Sequence, residues 1–191
     1  MIEEELKDAD ISRGCRQNNP EAWRQLVRRY TPLVYRLACR MLNHEQAAED
    51  ATQEVFMRVH RAIDRYDPTR PLAPWLARIT YNNCLKHLAR TKRSTDRELM
   101  LDENELPDTG HGMSPEHQVN HQQVSRLIHN ALTKLSAQDR GLIVMRYREG
   151  FSDSEISQAA HMPVGTVKTR LHRARSKLRK YLAPFIKEVL P

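Results

Sequence analysis

A run of basic side chains near the carboxyl end is the feature with the clearest chemical meaning. Residues 160–180 read AHMPVGTVKTRLHRARSKLRK and contain seven lysine or arginine residues and no acidic residue. Apolar residues recur in it three and four positions apart, which is the spacing of a helix with one buried face. The other face would offer donors to phosphate oxygens and base edges: Lys168, Thr169, Arg170, His172, Arg173 and Arg175. Two interpretations follow, a helix that reads DNA or a solvated basic surface.

The residues before this stretch predict a short helix and a tight turn. Ser152 followed three residues later by Glu155 is the pattern of a capping box, and Gly150 is suited to end the preceding helix. SDSEISQAA then predicts a short helix, and HMP predicts a turn because its proline cannot continue that helix. Short helix, short turn and second helix with a polar front form a helix-turn-helix. We therefore interpret the basic stretch as a recognition helix.

Apolar periodicity predicts helices along most of the remaining chain. Residues three and four apart are apolar almost throughout, whereas the alternation typical of strands is almost absent. We expect one helix from Pro20 to the end of RLACRMLN, with Pro32 able to bend or break it. A second is expected at about Glu45–Arg65 and a third at about Pro74–Arg90, after the proline-rich loop DPTRPLAP. The predicted fold class is all-α.

The helical segments fall on either side of an acidic stretch that contains proline and glycine. Between Asp96 and Glu116 there are seven acidic residues and one basic residue, a composition typical of linkers. We place one small helical domain at residues 8–92, a flexible linker at 93–116 and a second domain at 117–188. Residues 119–191 carry 13 basic and 5 acidic side chains, which indicates a polyanionic partner for the second domain.

Cysteine content and apolar runs exclude several classes of protein. Cys15, Cys39 and Cys84 are widely spaced and form no CxxC pair, so neither a disulfide framework nor a zinc knuckle is predicted. MIEEELKDAD lacks the apolar stretch of a signal peptide, and no run of about 18 apolar residues occurs. We expect a soluble cytoplasmic protein with reduced thiols and no cofactor.

The second predicted helix has a polar face that could bind a protein. AAEDATQEVFMRVHRAI places its alanines and valines on one side. The other side carries an acid–amide–acid patch around a methionine: Asp50, Gln53, Glu54 and Met57. Periodicity alone leaves two interpretations open, a solvated face opposite a core or a docking site for a basic protein surface.

Four segments together resemble the σ70 family of RNA polymerase sigma factors, in particular the extracytoplasmic-function (ECF) type. They are EAWRQLVRRYTPLVYRLACRML, EDATQEVFMRVHRAI, APWLARITYNNCLKHLAR and SDSEISQAAHMPVGTVKTRLHRARSKLRK. Their order and the acidic linker also match the family, and the resemblance covers nearly the whole chain. It implies a protein that binds core RNA polymerase and directs promoter-specific transcription initiation. Polymerase would perform the chemistry, so the chain itself would not be an enzyme.

The resemblance also implies roles for individual residues. The DATQEVF segment would bind the coiled coil of the polymerase β′ subunit through Asp50, Gln53, Glu54 and Met57. The recognition helix would read the −35 promoter element. The third helix and the loop before it would capture unpaired bases of the −10 element by stacking, polar contacts and cations, through Arg70, Trp75, Arg78, Asn82, Asn83 and Lys86. Two positions depart from the family pattern: PLAP precedes the tryptophan instead of a small polar residue and an aromatic, and Lys86 replaces an acidic or amide residue.

The resemblance implies several partners. These are core RNA polymerase (through its β′ coiled coil and β flap), promoter DNA and a membrane-anchored anti-sigma factor. The inhibitor would cover the polymerase-docking helix or apolar surfaces of the second domain, and the chain would be a monomer when free of partners. The residues expected on those apolar surfaces are Leu132, Leu135, Ile143 and Met145.

Three other interpretations fit the sequence less well than a sigma factor does. A helix-turn-helix regulator that does not capture polymerase is the main alternative, although the first 90 residues lack the strand pattern of a phosphoreceiver domain. An enzyme acting on DNA is disfavoured because no convincing nucleophile, metal-carboxylate set or phosphate loop occurs. A metal site at His111, His117 and His121 is disfavoured because His111 lies in a glycine-flanked linker and no cysteine or carboxylate is fixed beside them.

Overall fold

The described part of the chain consists of helices and their connections. A computed structural model describes residues 7–95 and 126–189, with side chains at 7–92 and 126–185. Its α-helices are α1 (Asp8–Arg16), α2 (Pro20–Leu42), α3 (Glu45–Ala62), α4 (Leu72–Thr95), α5 (126–133), α6 (Ala137–Tyr147), α7 (Asp153–Ala160) and α8 (Val164–Val189). A 3-10 turn, Ile63–Arg65, follows α3. No helix in the described ranges is long and apolar enough to cross a membrane. The all-α prediction is confirmed.

Helices α1 to α4 form an N-terminal unit around one apolar core. Asn19 caps α2 by accepting a hydrogen bond from the Glu21 N–H at 2.8 Å, and Pro20 occupies the first position, where an N–H would lack a helical partner. The side chain of His44 caps α3 in the same way. Among the fully buried side chains of this core are Leu26, Leu37, Met41, Val55, Leu72 and Leu76.

Helix boundaries in this unit differ from the expected ones in three places. The first helix named from the sequence begins at Pro20, yet α1 forms before it and buries Ile11 and Cys15 against the core. Pro32 lies inside an unbroken α2 on its exposed side, where water can satisfy the carbonyl that proline leaves unpaired. Helix α4 begins at Leu72, earlier than expected, and extends to Thr95.

Helices α5 to α8 form a C-terminal unit. Ser136 caps α6 by accepting from the Asp139 N–H at 3.2 Å, and Gly150 adopts a φ of +73° after that helix, as its predicted role as a helix terminator requires. The predicted linker from residue 96 onward and residues 117–125 lie outside the described residues, as do His111, His117 and His121.

The two units pack against each other. Helices α2 and α4 contact α6 and α7, and Arg36 of α2 binds Glu149 in a bidentate pair, with Nε–Oε1 and Nη2–Oε2 distances of 2.9 and 2.8 Å. The Glu149 side chain is only 6% exposed. The four apolar residues expected on the inward surfaces of the second domain, Leu132, Leu135, Ile143 and Met145, are all buried in this arrangement.

The units approach each other closely at Gly141 of α6. A methyl group there would lie 2.8 Å from the Tyr81 ring and 3.0 Å from the Met41 Sδ. Tyr81 is 1% exposed, and burial raises its pKa to about 12. Because the ring is enclosed, it has little room to move away from a larger residue.

We expect Gly141→Ala to lower the free energy of unfolding by about 1–3 kcal/mol, the usual cost of overpacking. Urea denaturation measures this change. Gly165→Ala is the matched control because a methyl group on that helical glycine would meet no atom within 4 Å. Equal effects of the two substitutions would show that the contact at position 141 is not tight.

Candidate nucleic-acid and docking surfaces

Helix α7, the turn after it and α8 form the predicted helix-turn-helix. Ser152 and Glu155 make both bonds of the capping box: the Glu155 N–H donates to Ser152 Oγ at 3.2 Å, and the Ser152 N–H donates to Glu155 Oε2 at 2.8 Å. His161 ends α7 in the left-handed region, with φ of 53°. Ser157 Oγ donates to the Met162 carbonyl at 2.6 Å. These contacts fix the direction in which α8 leaves the turn.

One face of α8 packs on the core and the opposite face is exposed. Val167, Leu171 and Ala174 are buried, as predicted. Five of the six side chains predicted to contact DNA are exposed on the other side: Lys168, Thr169, His172, Arg173 and Arg175. The helix therefore presents a continuous set of donors with an apolar back, which is the form needed to enter a major groove.

Arg170, the sixth predicted DNA contact, has a partner within the protein. Its Nε donates to Asp139 Oδ1 of α6 at 2.8 Å, and the two side chains are 27% and 19% exposed. Successive helical residues are about 100° apart, which turns Arg170 toward α6 and away from the exposed front. Arg170 therefore joins α8 to α6 in the free chain, and its contact with DNA stays a prediction.

A second polar stripe follows α4. Arg78, Asn82 and Lys86 are four residues apart and exposed, so they lie in one row along the helix. Beside this row lies a shallow pocket between α3 and α4, whose other lining residues are Arg58, Ala62, Ile79 and Asn83. Amides, cations and a small apolar floor in one concave surface suit the capture of an unpaired base.

Asn83 does not lie in this row. It is 3% exposed, and its Nδ2 donates to the Ala51 carbonyl of α3 at 3.4 Å. One residue beyond Asn82, the helix has turned the side chain toward α3. Asn83 joins α4 to α3 at the inner wall of the pocket, and its contact with bases stays a prediction.

The loop before α4 and the first turn of that helix hold the remaining predicted −10 residues, Arg70 and Trp75. Trp75 is partly buried, and its ring packs on that of Tyr66 with centroids 5.0 Å apart. Arg70 is exposed, with its Nε 3.3 Å from Asp67 Oδ2. In the sequence, both residues come shortly before Arg78, the first residue of the polar stripe.

The predicted docking residues occupy the outer face of α3. Asp50, Gln53 and Met57 are exposed, with Met57 at 54%. Glu54 is partly buried and accepts a hydrogen bond from the Arg58 Nε at 3.1 Å. That bond lowers the pKa of the Glu54 carboxyl, so it stays ionised in this face.

An apolar groove that the sequence did not predict lies beside these residues. The side chains that form it come from α2 and α3: Trp23, Val27, Gln53, Phe56, Met57, His60 and Arg61. The rings of Trp23 and His60 stack with centroids 4.8 Å apart. Val27 fits the apolar stripe of α2 in the sequence but is 40% exposed. Val27 lies four residues after Trp23, and this spacing could have indicated a second apolar face on α2.

Both units resemble known sequences. The family model of sigma-70 region 2 matches residues 26–94, and that of sigma-70 region 4 matches residues 125–178. ECF RNA polymerase sigma factor SigW of Bacillus subtilis is 33% identical over 187 residues, covering 95% of this chain and 97% of that protein. ECF RNA polymerase sigma factor SigE of Mycolicibacterium smegmatis is 36% identical over 162 residues, 85% of this chain and 62% of that longer protein.

Solved structures share the fold. The sigma factor RpoE of Bartonella quintana, in complex with the anti-sigma factor NepR, aligns with a TM-score of 0.71 and 22% identity over 84% of this chain and 96% of that one. CnrH in complex with the cytosolic domain of CnrY aligns with a TM-score of 0.64 and 24% identity over 93% and 97%.

The two family models and these relatives thus place the chain among transcription initiation factors. The chain belongs to the ECF RNA polymerase sigma factors of the sigma-70 family. Its function is that of a sigma factor, which directs promoter-specific initiation.

Arg170 and Arg173 make a matched pair for separating structure from DNA reading. Arg170→Ala should lower the free energy of unfolding by about 1–2 kcal/mol because Asp139 stays partly buried without its partner. Arg173→Ala should leave unfolding unchanged within about 0.5 kcal/mol. It should weaken binding to a promoter by about 1–3 kcal/mol and relax preference at one −35 position.

Urea denaturation measures the first quantity, and binding to a set of −35 sequence variants measures the second. Lys177→Ala should weaken binding to all sequences alike if this exposed lysine meets only phosphate. Identical sequence profiles for the Arg173 and Lys177 variants would contradict the assignment.

Proposed function

We propose that this sigma factor reads the two promoter elements with α8 and α4 and is held on core RNA polymerase by α3 and the groove beside it. One observation carries the proposal: each of these helices buries one face and leaves exposed the residues that suit its task. The basic front of α8 suits duplex DNA, the amide and cation stripe of α4 suits unpaired bases, and the acidic face of α3 beside an apolar groove suits a protein.

Reading of the −35 element would take place in the major groove. Lys168, His172 and Arg175 are spaced to lie along one side of α8, with Thr169 and Arg173 beside them. Arginine pairs best with guanine, and lysine and threonine also bind phosphate. Arg170 supports this surface from behind through Asp139.

Capture of the −10 element would take place on single-stranded DNA. The pocket between α3 and α4 is open enough for a base, and Asn82 and Lys86 line it. Trp75 packs on Tyr66 but is only partly buried, so the rest of its surface is available for stacking. Arg70 and Arg78 would bind the backbone.

Docking on core polymerase would combine a polar rim with an apolar centre. Asp50 and Gln53 form the rim, and Phe56 and Met57 contribute to the apolar groove. This composition matches protein interfaces, in which aromatic residues and methionine are enriched at the centre. The β′ coiled coil is the partner proposed for this face, and the β flap is proposed for the C-terminal unit.

Promoter binding would require the two units to separate. Elements at −10 and −35 are about 25 base pairs apart, or about 85 Å along B-DNA at about 3.4 Å per pair. In the free chain α4 packs directly on α7, which immediately precedes the recognition helix. The packed arrangement cannot place both helices on their elements, so it represents a state that core polymerase opens.

Regulation would act on the same surfaces. We propose a membrane-anchored anti-sigma factor that competes with core enzyme, since the exposed groove beside α3 suits an amphipathic helix. The chain would act in the cytoplasm, where its polymerase is, as a monomer until a partner binds. It would need no cofactor and perform no catalysis, because polymerase forms the RNA.

The double substitution Asp50→Ala with Gln53→Ala should abolish core-enzyme binding and leave the helical circular dichroism unchanged, since both side chains are exposed. A pull-down with core polymerase measures the binding. Asp64→Ala is the control, because Asp64 is an exposed acid in the 3-10 turn after α3, outside the docking face. Wild-type binding by the double variant would place the docking surface elsewhere.

Arg36→Ala should favour the separated state, because Glu149 is left buried without its counter-charge. Small-angle X-ray scattering should show a larger radius of gyration. Core-enzyme affinity should rise by about fivefold for each kcal/mol of packing that is lost. The charge swap Arg36→Glu with Glu149→Arg should partly restore the compact form.

The control for this effect is Arg24→Ala, whose partner Glu21 is exposed. An unchanged radius for Arg36→Ala would mean that the ion pair does not hold the units together.

A further inference from the structure

Helix α4 carries most of the proposed −10 residues, but its own sequence supplies no cap for its first turn. It begins at Leu72 and has no acidic residue in its first turn. The preceding residue, Pro71, has no side-chain oxygen to accept a hydrogen bond, so the usual N-cap is missing. An acceptor for the first N–H groups, and a negative charge for this end of the helix dipole, must come from another part of the chain.

Helix α1 supplies both through Asp8. Asp8 Oδ2 accepts a hydrogen bond from the Leu72 N–H at 2.9 Å, across 64 positions of sequence. Its Oδ1 accepts from the Tyr30 hydroxyl at 2.5 Å and lies 3.6 Å from Arg29 Nη1. The carboxylate is therefore held in place by α2 while it caps α4. Burial, followed by the bond to Asp8, raises the pKa of Tyr30 above its ordinary value, so its hydroxyl stays a donor.

The other end of α1 holds the loop that leads into α4. Arg16 Nε donates to the Ile63 carbonyl at 3.2 Å, and its Nη2 donates to the Tyr66 carbonyl. Tyr66 is 3% exposed, and its hydroxyl donates to the Arg70 carbonyl. The same tyrosine ring supports Trp75. Arg70 and Trp75, two of the proposed −10 residues, thus both contact the Tyr66 side chain. Arg16 of α1 holds the Tyr66 backbone in place.

We propose that α1 is a positioning element for −10 recognition, with Asp8 and Arg16 as its two positioning residues. Asp8 sets the first turn of α4, and Arg16 sets the loop. Together they hold Arg70, Trp75 and Arg78 in the arrangement that receives unpaired bases, and neither residue needs to touch DNA. This inference rests on the proposed function of α4.

Helix α1 itself offers matched controls. Asp10 and Arg13 have the same side-chain types and lie on the same nine-residue helix, but they pair with each other at 3.3 Å and are more exposed, at 43% and 69%. Asp10→Ala also removes an acid from the first turn of α1, which controls for loss of stability of α1 itself. Asp8→Asn keeps an oxygen that can cap α4, so it should behave nearly as wild type.

The first experiment tests the contact without DNA. Amide hydrogen exchange of Leu72, measured by NMR on the free protein, should become at least about fivefold faster in Asp8→Ala, the effect of losing roughly one kcal/mol of capping. Asp10→Ala and Asp8→Asn should change it less than twofold. An unchanged rate in Asp8→Ala would overturn the capping role, whatever the function of the chain.

The second experiment tests recognition. Core polymerase loaded with each variant transcribes a library of random-sequence duplexes, and sequencing of the active templates gives the base preference at the −10 and −35 elements separately. Asp8→Ala and Arg16→Ala should reduce the −10 preference severalfold while the −35 preference and core binding stay unchanged. The Asp10 and Arg13 variants should match wild type. Equal losses at both elements would reveal a general loss of folding and overturn the inference.

Arg78→Ala in the same library distinguishes a failure of the proposed function of α4 from a failure of the positioning role of α1. If Arg78→Ala leaves the −10 preference intact, the proposed function of α4 fails, and the inference fails with it. If Arg78→Ala reduces that preference but Asp8→Ala and Arg16→Ala do not, the proposed function stands and the positioning role of α1 is wrong.

Discussion

The surface of one helix, α4, is the constraint on which the rest of the arrangement depends. It packs on α2 and α3 to complete the N-terminal core, and it receives α6 and α7 of the C-terminal unit. A helix has about 3.6 residues per turn, so these contacts leave one narrow row of exposed positions. Over residues 72–88 that row is Arg78, Asn82 and Lys86. The base capture that we propose for α4 would use this row.

Arginines divide into those that hold helices together and those that face solvent. Arg16 binds loop carbonyls, Arg36 joins the two units, and Arg170 fixes α8 on α6. The guanidinium group suits this task because its donors are planar and fixed in a fork. Arg173 and Arg175 are exposed on the front of α8. Net positive charge by itself therefore overstates the number of side chains that can meet DNA.

The contact between the units combines a tight steric fit with a charge pair. Gly141 allows α6 to approach Tyr81, and the Glu149 carboxylate is buried opposite Arg36. A steric fit of this kind has no intermediate position, so the units are expected to be either packed or apart. Such a contact suits the change that we propose, from a compact free chain to an extended one on a promoter.

Local patterns determined much of this protein. Helical periodicity, the Ser152–Glu155 capping box and Gly150 specify the helix-turn-helix, because each acts over three or four residues. The exposed row of α4 and the outer face of α3 follow from the same periodicity. The family could be inferred from the order of these segments.

Partners distant in sequence were decided only by the tertiary structure. Asn82 and Asn83 are identical neighbours, and only the position of α3 determines that the second is buried on the Ala51 carbonyl. Arg170 reads as one more basic residue until α6 places Asp139 beside it. The capping of α4 by Asp8, across 64 residues, has no local pattern at all. A hydrogen bond depends on where two chain segments meet in space, and periodicity within one segment carries no information about the other.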